Sequence, residues 1–295
     1  QGFLGASGIE LMRQLSEADI IQFTPRDKKR LNLYYGSSLP HYLDEIWRDH
    51  PEVYRTNVFN IHPPRNDLEW FCGPKPQALP GYPALIKSKF VRYEFQPQLD
   101  RLQNELLAID PNLIVCLGNS ALWALAGRTG ITKLRGTTLA STHTVAGFKL
   151  LSTYHPAAVL RQYELRPTAI ADLMKAKRES AHAEIIRPQR EIWIEPGLDD
   201  IREFVSRYIQ GCELLSVDIE TAGSRITCIG FAPDHTRAIV IPFDDDRNPG
   251  GCYWASEADE RKCWSIVREV VENASIPKLF QNGVYDIAFL LRAYG

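Results

Sequence analysis

The sequence predicts an α/β protein of two domains, a three-layer α/β/α domain on a parallel sheet followed by a smaller mixed-sheet domain. Three observations predict it. The 295 residues suffice for about two domains. In the first part, apolar runs alternate with segments of helical periodicity, the pattern of a parallel sheet covered on both faces. In the second part, three strand-like runs follow one another before a helix–strand–helix tail, which calls for a mixed sheet.

GIELMRQLSEA predicts a helix with Ile9, Met12 and Leu15 on one face. VYRTNVFN reads as a strand, and the Pro-rich HPPRNDLEWFCGPKPQALPGYP as irregular. LDRLQNELLAI places Leu99, Leu102, Leu106 and Ile109 at helical spacing, and Pro111 closes it. NLIVCLG is a continuous apolar run suited to a buried parallel strand. NSALWALAG predicts a short helix capped by Asn119 and ended by Gly127. FKLLSTYHP is a further strand and TAIADLMKAKRES a last helix. Periodicity is lost around AHAEIIRPQR, so the domains are placed at 1–184 and 185–295. REIWIEP then predicts a strand, LDDIREFVSRYI a helix, and LLSVDIET, RITCIGFA and RAIVIPF three strands. After an acidic turn come a helix presenting Trp264, Val267 and Val271, a strand IPKLFQN and a helix VYDIAFLLRAYG.

Apolar residues are 44% and charged residues 24%, a globular balance, and no apolar run approaches a membrane span. A net charge of −2 excludes a chain-wide basic surface, so any nucleic-acid contact must be local. Cys72, Cys116, Cys212, Cys228, Cys252 and Cys263 are scattered without a C-x-x-C pair. That argues against a zinc ribbon or disulfide scaffold and for reduced thiols in a cytoplasmic setting. Gln1 is no initiator methionine and QGFLGASG reads like the middle of a motif, so a fragment of a longer polypeptide is expected.

In LLSVDIETAGSRITCIGF, Asp218 and Glu220 are two apart on a strand and therefore share a face. Two carboxylates side by side repel unless they share a cation. In FQNGVYDIAFLL, Asn282 and Asp286 lie four apart, on one face at the start of a helix. Three hard oxygen donors suit Mg²⁺ or Mn²⁺ rather than zinc, and two such ions can hydrolyse a phosphodiester. SVDIET followed by QNGVYD resembles the first two motifs of the DEDD 3′→5′ exonucleases, most closely the proofreading domain of family A DNA polymerases. The resemblance implies an RNase H-like mixed sheet that continues past Gly295, where a third motif with a Tyr or His and another Asp would lie. It implies that Asp218 bridges both metals, Glu220 orients the first metal and the attacking water, Asp286 holds the second metal, and Asn282 contacts the frayed strand.

In the first domain, cleavage of an N-glycosidic bond leaves negative charge on the departing base, so a donor must face the base's carbonyl oxygen. His155, at a buried strand's end, could supply it. The Asn57 amide matches uracil's edge and opposes cytosine's polarity, and Phe3 can stack on an extruded base. Leu160 and Arg161 can wedge into a duplex or meet phosphate, and Lys133 and Arg135 can contact the backbone. Singly, each has an ordinary structural explanation. Together, GFLGASG, VYRTNVFNIHPP, LGNSALWALAGRTGITKLRG and STYHPAAVLR, in this order, resemble the uracil-DNA glycosylase superfamily, especially its family 4 type, over roughly residues 1–178. The motif bearing that family's water-activating acid would precede Gln1, so no general base is assigned. Family 4 proteins carry an iron–sulfur cluster on four cysteines. Ile61 stands at one of those positions and Cys72 is the lone cysteine nearby, so no cluster is expected.

A glycosylase-like domain followed by a proofreading domain resembles the N-terminal part of phage-type family A DNA polymerases. The implied function is editing of DNA from the 3′ end of a single strand, with a first domain that recognises or excises uracil in a strand. The implied partners are DNA and a downstream polymerase domain of the same polypeptide, with no membrane, in a bacterial host's cytoplasm. The alternative is a catalytically silent first domain that binds DNA or a replication partner.

Overall fold

The computed structural model describes residues 5–25, 27 and 39–294. The chain forms two compact units, Gln1–Ile186 and Arg187–Gly295.

Unit 1 contains helices α1 (Ala6–Glu17), α2 (Leu39–Arg48), α3 (Gln96–Ile109), α4 (Asn119–Ala126), the single turn α5 (Ile131–Leu134), α6 (Pro156–Arg161) and α7 (Arg166–Glu179). Strands β1 (Cys72–Gly73) and β2 (Phe90–Val91) form a small antiparallel pair. The main sheet is built from β3 (Ile114–Leu117), β4 (Thr138–Thr142) and β5 (Ala146–Thr153) in the order β3-β5-β4. β3 and β5 run parallel, with Leu117 beside Thr153. Alternation along β3 sends its side chains to opposite faces. Cys116 packs with Leu102 and Leu106 of α3 and Leu122 and Leu125 of α4. Val115 and Leu117 pack with Met12 and Leu15 of α1, Ile46 of α2 and Leu173 of α7. Helices therefore cover both faces of the sheet.

Three expectations are corrected here. The sheet is mixed rather than wholly parallel, because β4 turns back into β5 through residues 143–145 and pairs with it antiparallel. Residues 53–60, read as a strand, form none. Instead the Arg101 guanidinium donates to the carbonyl oxygens of Asn57 (2.6 Å) and Val58 (3.1 Å), so a side chain replaces a ladder partner. Asn119 does not cap its own helix. Its Oδ1 accepts from the N–H groups of Gly130 and Ile131, both at 2.9 Å, and so clamps the next turn.

Unit 2 has strands β6 (Glu191–Ile194), β7 (Leu215–Ala222), β8 (Arg225–Ala232), β9 (Arg237–Pro242) and β10 (Lys278–Leu279), with helices α8 (Leu198–Phe204), α9 (Glu257–Glu272) and α10 (Val284–Tyr294). The sheet order is β10-β7-β8-β9-β6. The three central strands are antiparallel, and the two edge strands run parallel to their neighbours. Leu215, Val217 and Ile219 of β7 point into a core shared with Ile229 and Phe231 of β8, Phe204 of α8 and Val267 of α9. α8 passes into a π-helical turn at Val205–Ile209 rather than continuing regularly. Among the described residues, no helix is long and apolar enough to cross a membrane.

Candidate functional site

In unit 1 the C-terminal ends of β3 and β5 lie side by side, where parallel strands of α/β sheets present their chemistry. The Gly118 N–H donates to the Thr153 carbonyl at 2.9 Å, closing the sheet's end. Gly118 has φ of +82°, and a Cβ there would lie 3.1 Å from the Cβ of His155. Only glycine meets both demands without strain. His155 then caps α6, its Nδ1 accepting from the Ala157 N–H at 3.1 Å. An accepting Nδ1 leaves the proton of the neutral ring on Nε2. Burial, with Arg161 adding its positive charge, pushes the His155 pKa below the usual histidine value. At neutral pH the ring is thus a neutral N–H donor. Leu160, 48% exposed, and the exposed Arg161 project from the same helix.

Beneath this end sits Asp172 of α7, 2% exposed. Its carboxylate accepts from Arg135 Nε at 2.8 Å, from Arg135 Nη2, and from Thr153 Oγ1 at 2.7 Å. Gly136 (φ +68°) leaves room for it, since a Cβ there would fall 2.6 Å from Asp172 Oδ1. Two guanidinium nitrogens of Arg135, expected from the sequence to contact the DNA backbone, are bonded to this buried acid. Lys133 remains exposed on its turn. Asp172 escaped the sequence reading, although an acid on the buried stripe Ala169–Asp172–Leu173–Ala176 was a usable signal. Asn57 is half-buried, its backbone held by Arg101, and its side-chain amide has no hydrogen-bond partner among the described residues. Phe3 lies outside the described residues.

The donor set for an iron–sulfur cluster is incomplete in this unit. Four thiolates are needed, and residues 1–186 contain Cys72 and Cys116 alone. Cys116 faces the core, where burial pushes its thiol up to about 12. Cys72 lines an open cavity of about 780 Å³ together with Asp67, Trp70 and Lys89, and aromatic packing fills the side away from it, so the expected filling of this space by the Pro-rich segment is only partial. Phe59 stacks on Phe71 at 4.1 Å, and Phe95 meets Phe71 edge-on at 5.0 Å.

In unit 2, Asp218 and Glu220 are exposed on the face of β7 away from the core. Gly230 stands opposite Asp218 and Cys228 opposite Glu220. Burial raises the Cys228 thiol pKa, and the Glu220 charge raises it further. Thr221 and Tyr285 share a hydrogen bond of 2.7 Å between their hydroxyls, which fixes the first turn of α10 against the end of β7. Asp286, on that turn, is 5% exposed and its carboxylate has no hydrogen bond or ion pair among the described residues. Asn282 is exposed, in left-handed backbone at φ 56°. The structure thus pairs Asp218 with Glu220. Among the described residues, no three His, Cys, Asp or Glu side chains gather closely enough to hold a metal ion.

Unit 1 is an α/β domain in which His155 stands at the joined ends of two parallel strands, an architecture consistent with the glycosylase-like fold expected from the sequence. The chain belongs to the uracil DNA glycosylase superfamily, matched over residues 2–178. It is 30% identical over 289 residues to a DNA polymerase of Bacillus phage SP01, an alignment covering 90% of this chain and 29% of that protein. It is also 30% identical over 145 residues to the type-4 uracil-DNA glycosylase of Archaeoglobus fulgidus, covering 48% of this chain and 62% of that enzyme. The chain thus spans less than two thirds of either relative.

Proposed function

We propose that the chain is part of a DNA polymerase that carries a uracil-reading domain and a 3′→5′ exonuclease domain. The observation that carries the first half is His155, a neutral Nε2–H donor fixed at the strand ends. Such a donor stabilises the oxyanion that develops on a departing uracil, whereas an imidazolium would first have to be desolvated. The unpartnered Asn57 amide can satisfy uracil's N3–H and O4 together, and leaves cytosine's edge unmatched. Lys133 and Arg161 meet phosphates, Leu160 fills the gap left by an extruded base, and Phe3 stacks on that base.

For the second half, the mixed sheet, the acids paired on β7 and the likeness to a phage DNA polymerase across both units support an RNase H-like exonuclease. Asp218, Glu220 and Asp286 are the oxygen donors that would hold Mg²⁺ or Mn²⁺, which supplies polarisation of the scissile phosphate and an acidified water. Asn282 contacts the frayed 3′ strand. The partners are DNA and a polymerase domain of the same polypeptide.

The test of the first half is binding to single strands that differ only in one uracil or thymine. Asn57→Ala is expected to reduce the uracil preference about 5- to 150-fold, the range for leaving buried polar groups unpaired. A preference unchanged by that substitution, or absent from the wild type, refutes the reading. Release of free uracil that is lost in His155→Ala identifies an enzyme. Preference without release identifies the alternative, a silent binding module. The two-cysteine donor set also predicts protein without iron–sulfur absorbance in the visible range, and a reproducible iron-dependent band would overturn that.

A further inference from the structure

We infer that Tyr163 is a stacking platform for a nucleobase of the strand bound by unit 1, close to the extruded nucleotide. This rests on the proposal that unit 1 binds DNA. Tyr163 begins the short turn after α6 and is 67% exposed, so its ring can be covered by a partner. The ring does not swing freely. The Arg166 guanidinium lies over it, 5.7 Å from its centroid. Arg166 is itself fixed, donating from Nε to Glu10 at 2.8 Å and through both terminal nitrogens to Glu17 at 2.8 and 2.5 Å. Glu10, 4% exposed, also accepts from Gln14 at 2.8 Å. A chain of polar contacts, buried at Gln14 and Glu10 and exposed at Glu17, thus runs from α1 to Arg166, which lies over the ring.

With 67% of the residue exposed, the ring has surface left for a flat partner, and the surroundings select a nucleic acid. Leu160 and Tyr163 are three residues apart and both exposed, with Arg161 beside them; Glu164 is the single acid between residues 160 and 166. Eight residues separate His155 from Tyr163. The helix that His155 caps ends at Arg161, Gln162 leaves helical backbone, and Tyr163 opens the turn that follows. A strand whose reacting base faces His155 therefore passes close enough to bring a neighbouring base to Tyr163. Every base has a flat π face, so the contact tolerates any sequence there. Uracil is then selected in the pocket, and the platform only keeps the strand in register.

The experiment measures affinity of the full-length protein for a uracil-containing single strand across a salt titration. A 2-aminopurine placed one to four nucleotides from the uracil reports stacking. Tyr163→Ala is expected to weaken binding about 5- to 150-fold, the range for one stacked base, and to restore 2-aminopurine fluorescence. Its salt slope stays that of the wild type, because no phosphate contact is lost. Tyr163→Phe keeps both affinity and quenching. Arg161→Ala lowers the salt slope by about one. Unchanged affinity in Tyr163→Ala, a changed slope, or a Phe variant as weak as the Ala variant overturns the platform while leaving the DNA-binding reading intact, and the first result points to a protein partner for the exposed ring. A wild type that binds no DNA at any salt overturns both.

Discussion

Asp218→Ala is expected to lower magnesium-dependent release of nucleotides from a DNA 3′ end by about 10³-fold or more in the full-length protein. Charge stabilisation by a bound divalent ion is worth several kcal/mol, and each 1.36 kcal/mol is about tenfold in rate. Asp218 and Glu220 share the outer face of β7, where neither helps the core. Their removal should therefore cost activity without costing fold. Asp218→Asn keeps the shape and removes the charge, so it should lose as much as Asp218→Ala. Asp286 gives the same hypothesis an independent sign. Asp286 is 5% exposed as a residue and its carboxylate has no partner among the described residues, so the little water that reaches it must compensate its charge in metal-free protein. Asp286→Asn should then raise the Tm measured in chelator. Magnesium should raise the Tm of the wild type by mass action and leave that variant's nearly unmoved. Nucleotide release by Asp218→Ala at the wild-type rate would refute the assignment of these acids.

What could be read from the letters was whatever depends on neighbours in the chain. Helical spacing of Leu99, Leu102 and Leu106 predicted the buried stripe of α3, while Ile109 beyond them is 37% exposed. Alternation in LLSVDIET told which residues of β7 face the core and which face out. Features set by distant partners were illegible. The β-branched and aromatic letters of residues 53–60 suggested a strand, but Arg101, more than forty residues later, occupies their carbonyls. The strand β4 is written TLAST, with Leu139 its one large apolar residue and no apolar run to announce it. Asn119 had the right residue type for a cap and was recruited by a different turn. The pairing of Arg135 with Asp172 was illegible because the two lie 37 residues apart. Of the site, the histidine and its helix were legible as a motif. The polar support under the strand was not, because it consists of residues brought together only by the fold.

That support predicts the second large effect. Asp172→Ala is expected to destabilise unit 1 by about 3 kcal/mol, the lower end for breaking a buried ion pair. The lower end applies because the Asp172 side chain is 3% exposed whereas that of Arg135 is 30% exposed and can recover some water. For a unit of this size the loss corresponds to a Tm lower by roughly 6–12 °C. Two controls separate charge from packing. Thr153→Val removes one hydroxyl bond to Asp172 and should cost only about 1 kcal/mol. The double variant Arg135→Met with Asp172→Leu leaves no uncompensated charge and should recover most of the stability. Uracil preference should not recover with it, if the carboxylate's hold on Thr153, two residues before His155, is what aims the ring. Thermal melts of the four proteins decide the matter. An Asp172→Ala variant that melts within 1 °C of the wild type would show that the buried carboxylate does not hold the strand end on which His155 stands.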